Sequence, residues 1–170
     1  IITDHHTPRH DESGGLQLPD AAAIVHSGLG KAPVNADLSG AGVALKLAWA
    51  VAQQMSGAAK VSPAFREFLL TATGLAALGI VADVVPLTGE NRILTLHGLR
   101  GLPASAHVGV QALIASAGLT GSKLDGYDVG FKLGPRLNAI GRMGHARLAV
   151  EMLTRATAEE ARQIAQNLEQ

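Results

Sequence analysis

A carboxylate and two imidazoles stand side by side at Asp4, His5 and His6, after the apolar run Ile1-Ile2 and just before Thr7 and Pro8. Nitrogen and oxygen donors without sulfur suit Mn, Fe or Zn, and carboxylate-rich sets favour Mg or Mn. The neighbouring Asp4 could also orient an imidazole from behind. Successive side chains of a regular strand point to opposite faces, so all three converge only if the backbone turns here. The plainer reading is a polar exit from a strand, with Asp4 capping the loop.

Asp83 is the second candidate. It sits in "LAALGIVADVVPLTG", the most apolar stretch of the chain. A carboxylate in such surroundings carries a large desolvation cost unless it is paired, hydrogen-bonded or bound to a cation. No Lys or Arg lies between Glu67 and Glu90. Otherwise Asp83 caps the following turn toward Val85 or Leu87.

The third candidate is "FKLGPRLNAIGRMGHARL". Between Asp128 and Glu151 stand Lys132, Arg136, Arg142, His145 and Arg147, with no carboxylate. Gly134, Gly141 and Gly144 permit close approach of a ligand, and Asn138 adds a neutral donor and acceptor. Arginines that can grip phosphate oxygens in pairs make this a candidate phosphate surface; the alternative is a solvated basic helix face. Gly40 and Gly42 in "SGAGVALKL" could offer N–H groups to an anion, though close packing explains such glycines more simply. His10, His26, His97 and His107 are scattered and read as surface or packing residues.

The elements that must carry these residues follow from local pattern. "IIT" reads as the end of a buried strand, and "RHDESGG" as a polar loop. Ala21 to Val25 could form an edge strand within an otherwise irregular stretch. A helix starts at Ser39 or Gly40, with Val43, Leu47, Ala50 and Val51 on its apolar face. Ser62 and Pro63 start a second helix through Phe65, Phe68, Leu69, Ala72, Leu75 and Ala76, with a turn or short strand after Gly79. "GENRILTLHGLRGL" and "VGVQALIASAGL" read as further helices, the second ended by Gly118. "DGYDVGFKLGPRLNAIGRMGHARLAVEML" begins as a turn or short helix and ends as a helix. In the last helix Thr157 and Glu160 form a capping box, and Ala161, Ile164, Ala165 and Leu168 form its stripe.

Composition narrows the class. Hydrophobic residues make up 47% of the 170 and charged residues 16%, the make-up of a globular chain. Fourteen basic and 14 acidic residues cancel, so bulk charge does not announce a nucleic-acid binder. The absence of cysteine excludes disulfides and thiolate chemistry and fits a reducing compartment. Asp83 and Pro86 interrupt the longest apolar run, making it a poor membrane span.

Taken in order, the triplet Asp4-His5-His6, the stretch "ALGIVADVVPLTGENR" and the block "GPRLNAIGRMGHARLAVEML" from Gly134 to Leu153 resemble the DHH phosphoesterase superfamily, and within it the bacterial single-strand-specific exonucleases. "SGAGVALKLAWA" resembles a further segment of that branch. The resemblance implies an α/β fold: the helix-rich C-terminal portion of a DHH phosphoesterase domain, with a parallel sheet mostly outside this chain. Residues 1–155 would be a partial DHH domain, and 156–170 the start of a connector helix to a second domain.

The same resemblance implies roles. His5 and Asp83 would ligate Mn2+ or Mg2+ in a two-metal site, and Asp4 would orient the triplet. His6 would lie beside the scissile phosphate and stabilise charge or assist the leaving group. Arg136, Asn138, Arg142 and His145 would contact the phosphates of the strand. The implied activity is metal-dependent 5′-to-3′ hydrolysis of single-stranded DNA in recombination and repair. It would act in the cytoplasm, with a single-strand-binding protein and a helicase as partners and no membrane.

The family's aspartates upstream of the triplet have no counterpart here, and two protein ligands are too few for a two-metal cage. The start on Ile1 and the stop inside a helix read as a piece of a longer protein, with little or no activity expected alone. Two alternatives stand beside this reading. One is a DHH phosphoesterase acting on oligonucleotides, cyclic dinucleotides or small phosphates. The other is a catalytically silent relative serving as a DNA-binding or replication scaffold.

Overall fold

The computed structural model describes residues 1–30, 35–140 and 146–166. Its elements are few and short at the N-terminal end. Strand β1 (Ile2–Asp4) pairs in parallel with β4 (Ile24–His26), in the register Ile2 to Ile24, Thr3 to Val25 and Asp4 to His26. Ile1 is 78% exposed and Thr3 also faces solvent, so β1 is a strand as expected but not a buried one. Between these strands lies a hairpin, β2 (Arg9–His10) against β3 (Leu16–Gln17), where the sequence suggests only a loop. Its turn is held by Asp11, whose carboxylate accepts from the N–H groups of Ser13 and Gly15 and from the Ser13 hydroxyl. An Asp folding back on its own turn is a strong local organiser.

Helices make up the rest. In α1 (Gly40–Ser56), Ser39 is the N-cap and its hydroxyl accepts the Gly42 N–H at 3.2 Å. The face it buries carries Gly42, Val43, Leu45 and Ala52, while Ala50 and Val51 are exposed. This corrects the expected stripe: helical spacing fits more than one face, and α2 decides which is covered. Helix α2 (Pro63–Ala82) opens on Ser62 and Pro63 as expected. It does not end at Gly79 but continues to Ala82, because Gly79 marks a helix crossing. A methyl group added at Gly79 would overlap the methyl of Ala41 on α1. Phe68, one of the apolar residues of this helix, is 56% exposed.

Helix α3 (Gly89–Gly101) runs into a 3-10 turn (Leu102–Ala104), and α4 (Val108–Ser116) is followed by Gly118 at φ +68°. Then come α5 (Gly126–Asp128), a π-helical turn (Val129–Leu133) and α6 (Gly134–Ile140) end to end, followed by α7 (Ala146–Met152) and α8 (Ala158–Gln166). The capping box of α8 forms as read: Thr157 Oγ1 accepts the Glu160 N–H, and Glu160 Oε2 accepts the Thr157 N–H at 2.8 Å. Ala161 and Ala165 are buried, and Leu168 lies outside the described residues.

Two buried clusters meet on α2. One gathers Leu38, Val43, Leu45, Ala76, Ile80 and Leu94; the other gathers Ala77, Leu78, Leu102, Leu113, Val129, Leu133 and Met152 with their neighbours. Helix α2 is long and apolar enough to cross a bilayer by length and composition, but here it is the helix that α1 and α3 pack against. The α/β, helix-rich reading therefore holds.

The α1–α2 crossing gives a sharp test. Gly79→Ala is expected to cost about 1–3 kcal/mol through overpacking. Gly101→Ala, where an added methyl meets open space, should instead gain up to about 1 kcal/mol by restricting the unfolded chain. Denaturant melts of the two variants would show the opposite signs.

Candidate metal and phosphate site

The backbone does turn after β1. Asp4 Oδ1 accepts from His6 Nδ1 at 2.7 Å and, more weakly, from the His6 backbone N–H at 3.4 Å. The His5 and His6 rings lie with centroids 4.5 Å apart. One ligand atom from each of Asp4, His5 and His6 falls within 4.8 Å of the others. The second candidate arrives from far along the chain: His5 Nε2 stands 3.1 Å from Asp83 Oδ2.

That distance suits a direct ion pair and two donors sharing one cation alike. An octahedral Mg2+ or Mn2+ about 2.1 Å from its donors sets neighbouring donors about 3 Å apart. His5 and Asp83 thus already stand as two adjacent ligands of one ion would. Asp83 is also the C-cap of α2, its N–H bonded to Gly79 O at 2.9 Å. A carboxylate at the negative end of a helix is electrostatically disfavoured unless a cation sits with it.

Both helices must end where they do for this meeting. The start of α1 lies against His5, since a Cβ at Gly40 would come within 3.4 Å of His5 Cδ2. Of the glycines of "SGAGVALKL", Gly42 is the tightly packed one, since an added Cβ there would lie 2.6 Å from Leu38 Cδ2. The α1–α2 crossing then brings the end of α2 to the same place. The expected burial of Asp83 is overturned: its side chain keeps 38% exposure. The apolar residues before it bury inward from α2, and the helix end lifts Asp83 out of the core.

The backbone immediately after Asp83 is unusual. Val84 has φ +58° and is 85% exposed. A β-branched residue in the left-handed region is strained by about 1–2 kcal/mol, and no burial of its side chain offsets that. The turn is anchored by Asn91, which is 1% exposed. Its amide donates to Pro86 O at 3.0 Å and to Asp37 O at 2.9 Å, and its carbonyl accepts from Asn35 Nδ2. Asn91 thereby joins the loop after Asp83 to the segment before α1. Sequence reading misses it, since nothing local distinguishes a buried Asn from a solvated one. His26 escapes sequence reading in the same way; it lies opposite Asp4 in the β1–β4 register, and its ring reaches the His6 carbonyl.

The hydrogen bond from His6 draws the Asp4 carboxyl down to about 2, with help from the His5 backbone N–H. The same bond raises the His6 imidazole. Asp4 therefore favours folding above its ordinary pKa near 3.8, an effect lost as pH falls through about 2. His6 favours folding below 6.5, an effect lost as pH rises through its raised value.

The basic segment proves more neutral than its composition. Lys132 Nζ pairs with Asp128 at 2.7 Å and Arg147 Nε with Glu151 at 2.8 Å. Both are i,i+4 pairs with the carboxylates that bound the run, so the spacing carried the signal. Arg136 differs: Nη1 donates to Lys132 O at 2.9 Å, while its buried Nε has no partner among the described residues. At Gly134 an added Cβ would press on Val129 O at 3.0 Å and lie 3.6 Å from Ala82 Cβ, so this position packs near the end of α2. Asn138 is exposed and lines one groove with Ala82. The α6 segment therefore adjoins the end of α2 that carries Asp83. Arg142 and His145, with Gly141 and Gly144, lie outside the described residues.

Two measurements check this geometry. In the metal-free protein, His6 should titrate above 6.5 by NMR, and Asp4→Asn should return it toward that value. Val84→Gly should raise stability by up to about 1 kcal/mol in thermal melts, because glycine adopts positive φ freely.

No family model matches the chain. Among curated proteins it is 38% identical over 174 residues to the single-stranded-DNA-specific exonuclease RecJ of Bacillus subtilis, covering 100% of this chain and 19% of that protein. It is 37% identical to the RecJ of Thermus thermophilus, over 95% of this chain and 21% of that protein, and 37% identical to the RecJ of Escherichia coli, over 99% and 29%. The crystal structure of Thermus thermophilus RecJ in complex with Mn2+ superposes with a TM-score of 0.77 at 36% identity, covering 99% of this chain and 23% of that one. The crystal structure of exonuclease RecJ bound to manganese gives 0.78 at 36% identity, covering 99% and 38%. The chain thus spans between 19% and 29% of the length of these curated relatives. With its triplet turned toward Asp83, the chain is similar over 95% or more of its length to a segment of these RecJ proteins.

Proposed function

We propose that the chain supplies part of the catalytic centre of a metal-dependent exonuclease that degrades single-stranded DNA from the 5′ end, in recombination and repair. The observation that carries this reading is the 3.1 Å approach of His5 to Asp83, at the triplet of a chain whose relatives are named single-stranded-DNA-specific exonucleases. The solved relatives are RecJ structures holding Mn2+ or Mg2+, the cations that the His5 and Asp83 donors suit.

In this reading His5 Nε2 and Asp83 Oδ2 hold the metal. A bound divalent cation lowers the pKa of water and neutralises phosphate charge. Asp4 takes the His6 Nδ1 proton in a hydrogen bond, so Nε2 is the atom that His6 turns toward the phosphate. Asp4 also keeps that imidazole charged to higher pH, which suits an anionic partner. Arg136, Asn138, Arg142 and His145 hold strand phosphates. Residues 1–155 belong to the catalytic domain, and 156–170 begin a connector.

His5 and Asp83 are two protein donors, fewer than a two-metal cage takes. The 170-residue chain alone is expected to release few mononucleotides from a labelled strand with Mn2+, and robust release would overturn that. In the whole protein, His6→Ala should spare strand binding and abolish cleavage. Arg142→Ala should weaken binding and lower the salt slope by about one. If both variants lose only binding, the roles are wrong. A panel with short oligonucleotides and cyclic dinucleotides decides the substrate class.

A further inference from the structure

Strand β1 keeps its ladder only as far as Asp4, paired with His26. His5 and His6 lie beyond it, where no sheet hydrogen bond fixes their direction. The ring of His26 spans this gap. The Gly28 N–H donates to His26 Nδ1 at 2.9 Å, so Nδ1 carries the lone pair and the proton sits on Nε2. Nε2–H then donates to the His6 carbonyl at 2.8 Å. The tautomer follows from the Gly28 contact, and both ring nitrogens are engaged by backbone. Such a side chain acts as a rigid strut between two loops.

We infer that His26 is a positioning residue: by holding the His6 carbonyl it sets the direction in which the His5 and His6 rings leave the end of β1. It touches no reacting atom. It acts on the turn that lets Asp4, His5 and His6 converge, the turn that alternating strand geometry would forbid. Gly28 completes the device by supplying the N–H that orients the ring. This role deepens the proposed function and rests on it for the roles of His5 and His6.

The test uses the whole protein with His26→Phe, which keeps a ring but neither nitrogen, and His26→Gln, which keeps an N–H near the Nε2 position. Four quantities are read: kcat with saturating Mn2+, KM for a single strand, Mn2+ affinity without DNA by electron paramagnetic resonance, and the melting temperature. His26→Phe is expected to lower kcat and Mn2+ affinity about 10–100-fold, the usual effect of removing a residue that orients metal ligands. KM and melting temperature should stay near wild type, and His26→Gln should recover most of the loss. Wild-type kcat and Mn2+ affinity in His26→Phe would overturn the inference. So would a His26→Gln variant no better than His26→Phe. If His26→Phe does not fold, His26→Leu, which also lacks both nitrogens, takes its place with the same expected and overturning results. If the wild-type protein leaves single strands intact, the proposed nuclease falls, while the Mn2+ affinities still decide the role of His26.

Discussion

The absence of a side chain at Gly79 is the constraint on which the site depends. Ala41 fills the space that a methyl group there would need, and so α1 and α2 cross in close contact. From that crossing the start of α1 reaches back to His5, and the end of α2 carries Asp83 to the same imidazole. A wider separation of the helices would move the two donors apart, and an increase of about one ångström is large beside the tolerance of a metal ligand set. Core packing and site geometry are here one quantity, because α2 contributes to both buried clusters.

Beyond the helix ends the chain relies on fixed backbone rather than regular structure. Val84 holds a strained conformation, and strain of this kind persists only where the surroundings over-determine it. Asn91 supplies that determination through hydrogen bonds from both ends of its amide, which offset the cost of its burial. On the other side of the site His26 performs the matching task for the His5–His6 turn. The two devices are alike: a polar side chain ties together the carbonyls or N–H groups of loops that no ladder reaches.

The electrostatics are local rather than global. A chain of zero formal charge offers no long-range attraction to an anion. The apparent basic run is partly neutralised by its own flanking carboxylates, Asp128 and Glu151. Placement is what distinguishes the site: a carboxylate at a helix C-terminus and a second carboxylate holding an imidazole proton.

Features that depend on residues a few positions apart are written in the chain itself. The caps at Ser39 and Ser62, the box of Thr157 and Glu160, and the chemical character of Asp4, His5 and His6 are all legible there, because each rests on local hydrogen bonding and side-chain type. The pairing of Lys132 with Asp128 and of Arg147 with Glu151 is legible in principle by the same rule. Packing settles which face of α1 is buried, that α2 runs through Gly79, that Asp83 stands exposed against His5, and that His26 and Asn91 hold the turns. Each of these needs contact between residues far apart in the chain. Only the packed helices supply that contact, and neither helical periodicity nor local hydropathy encodes it.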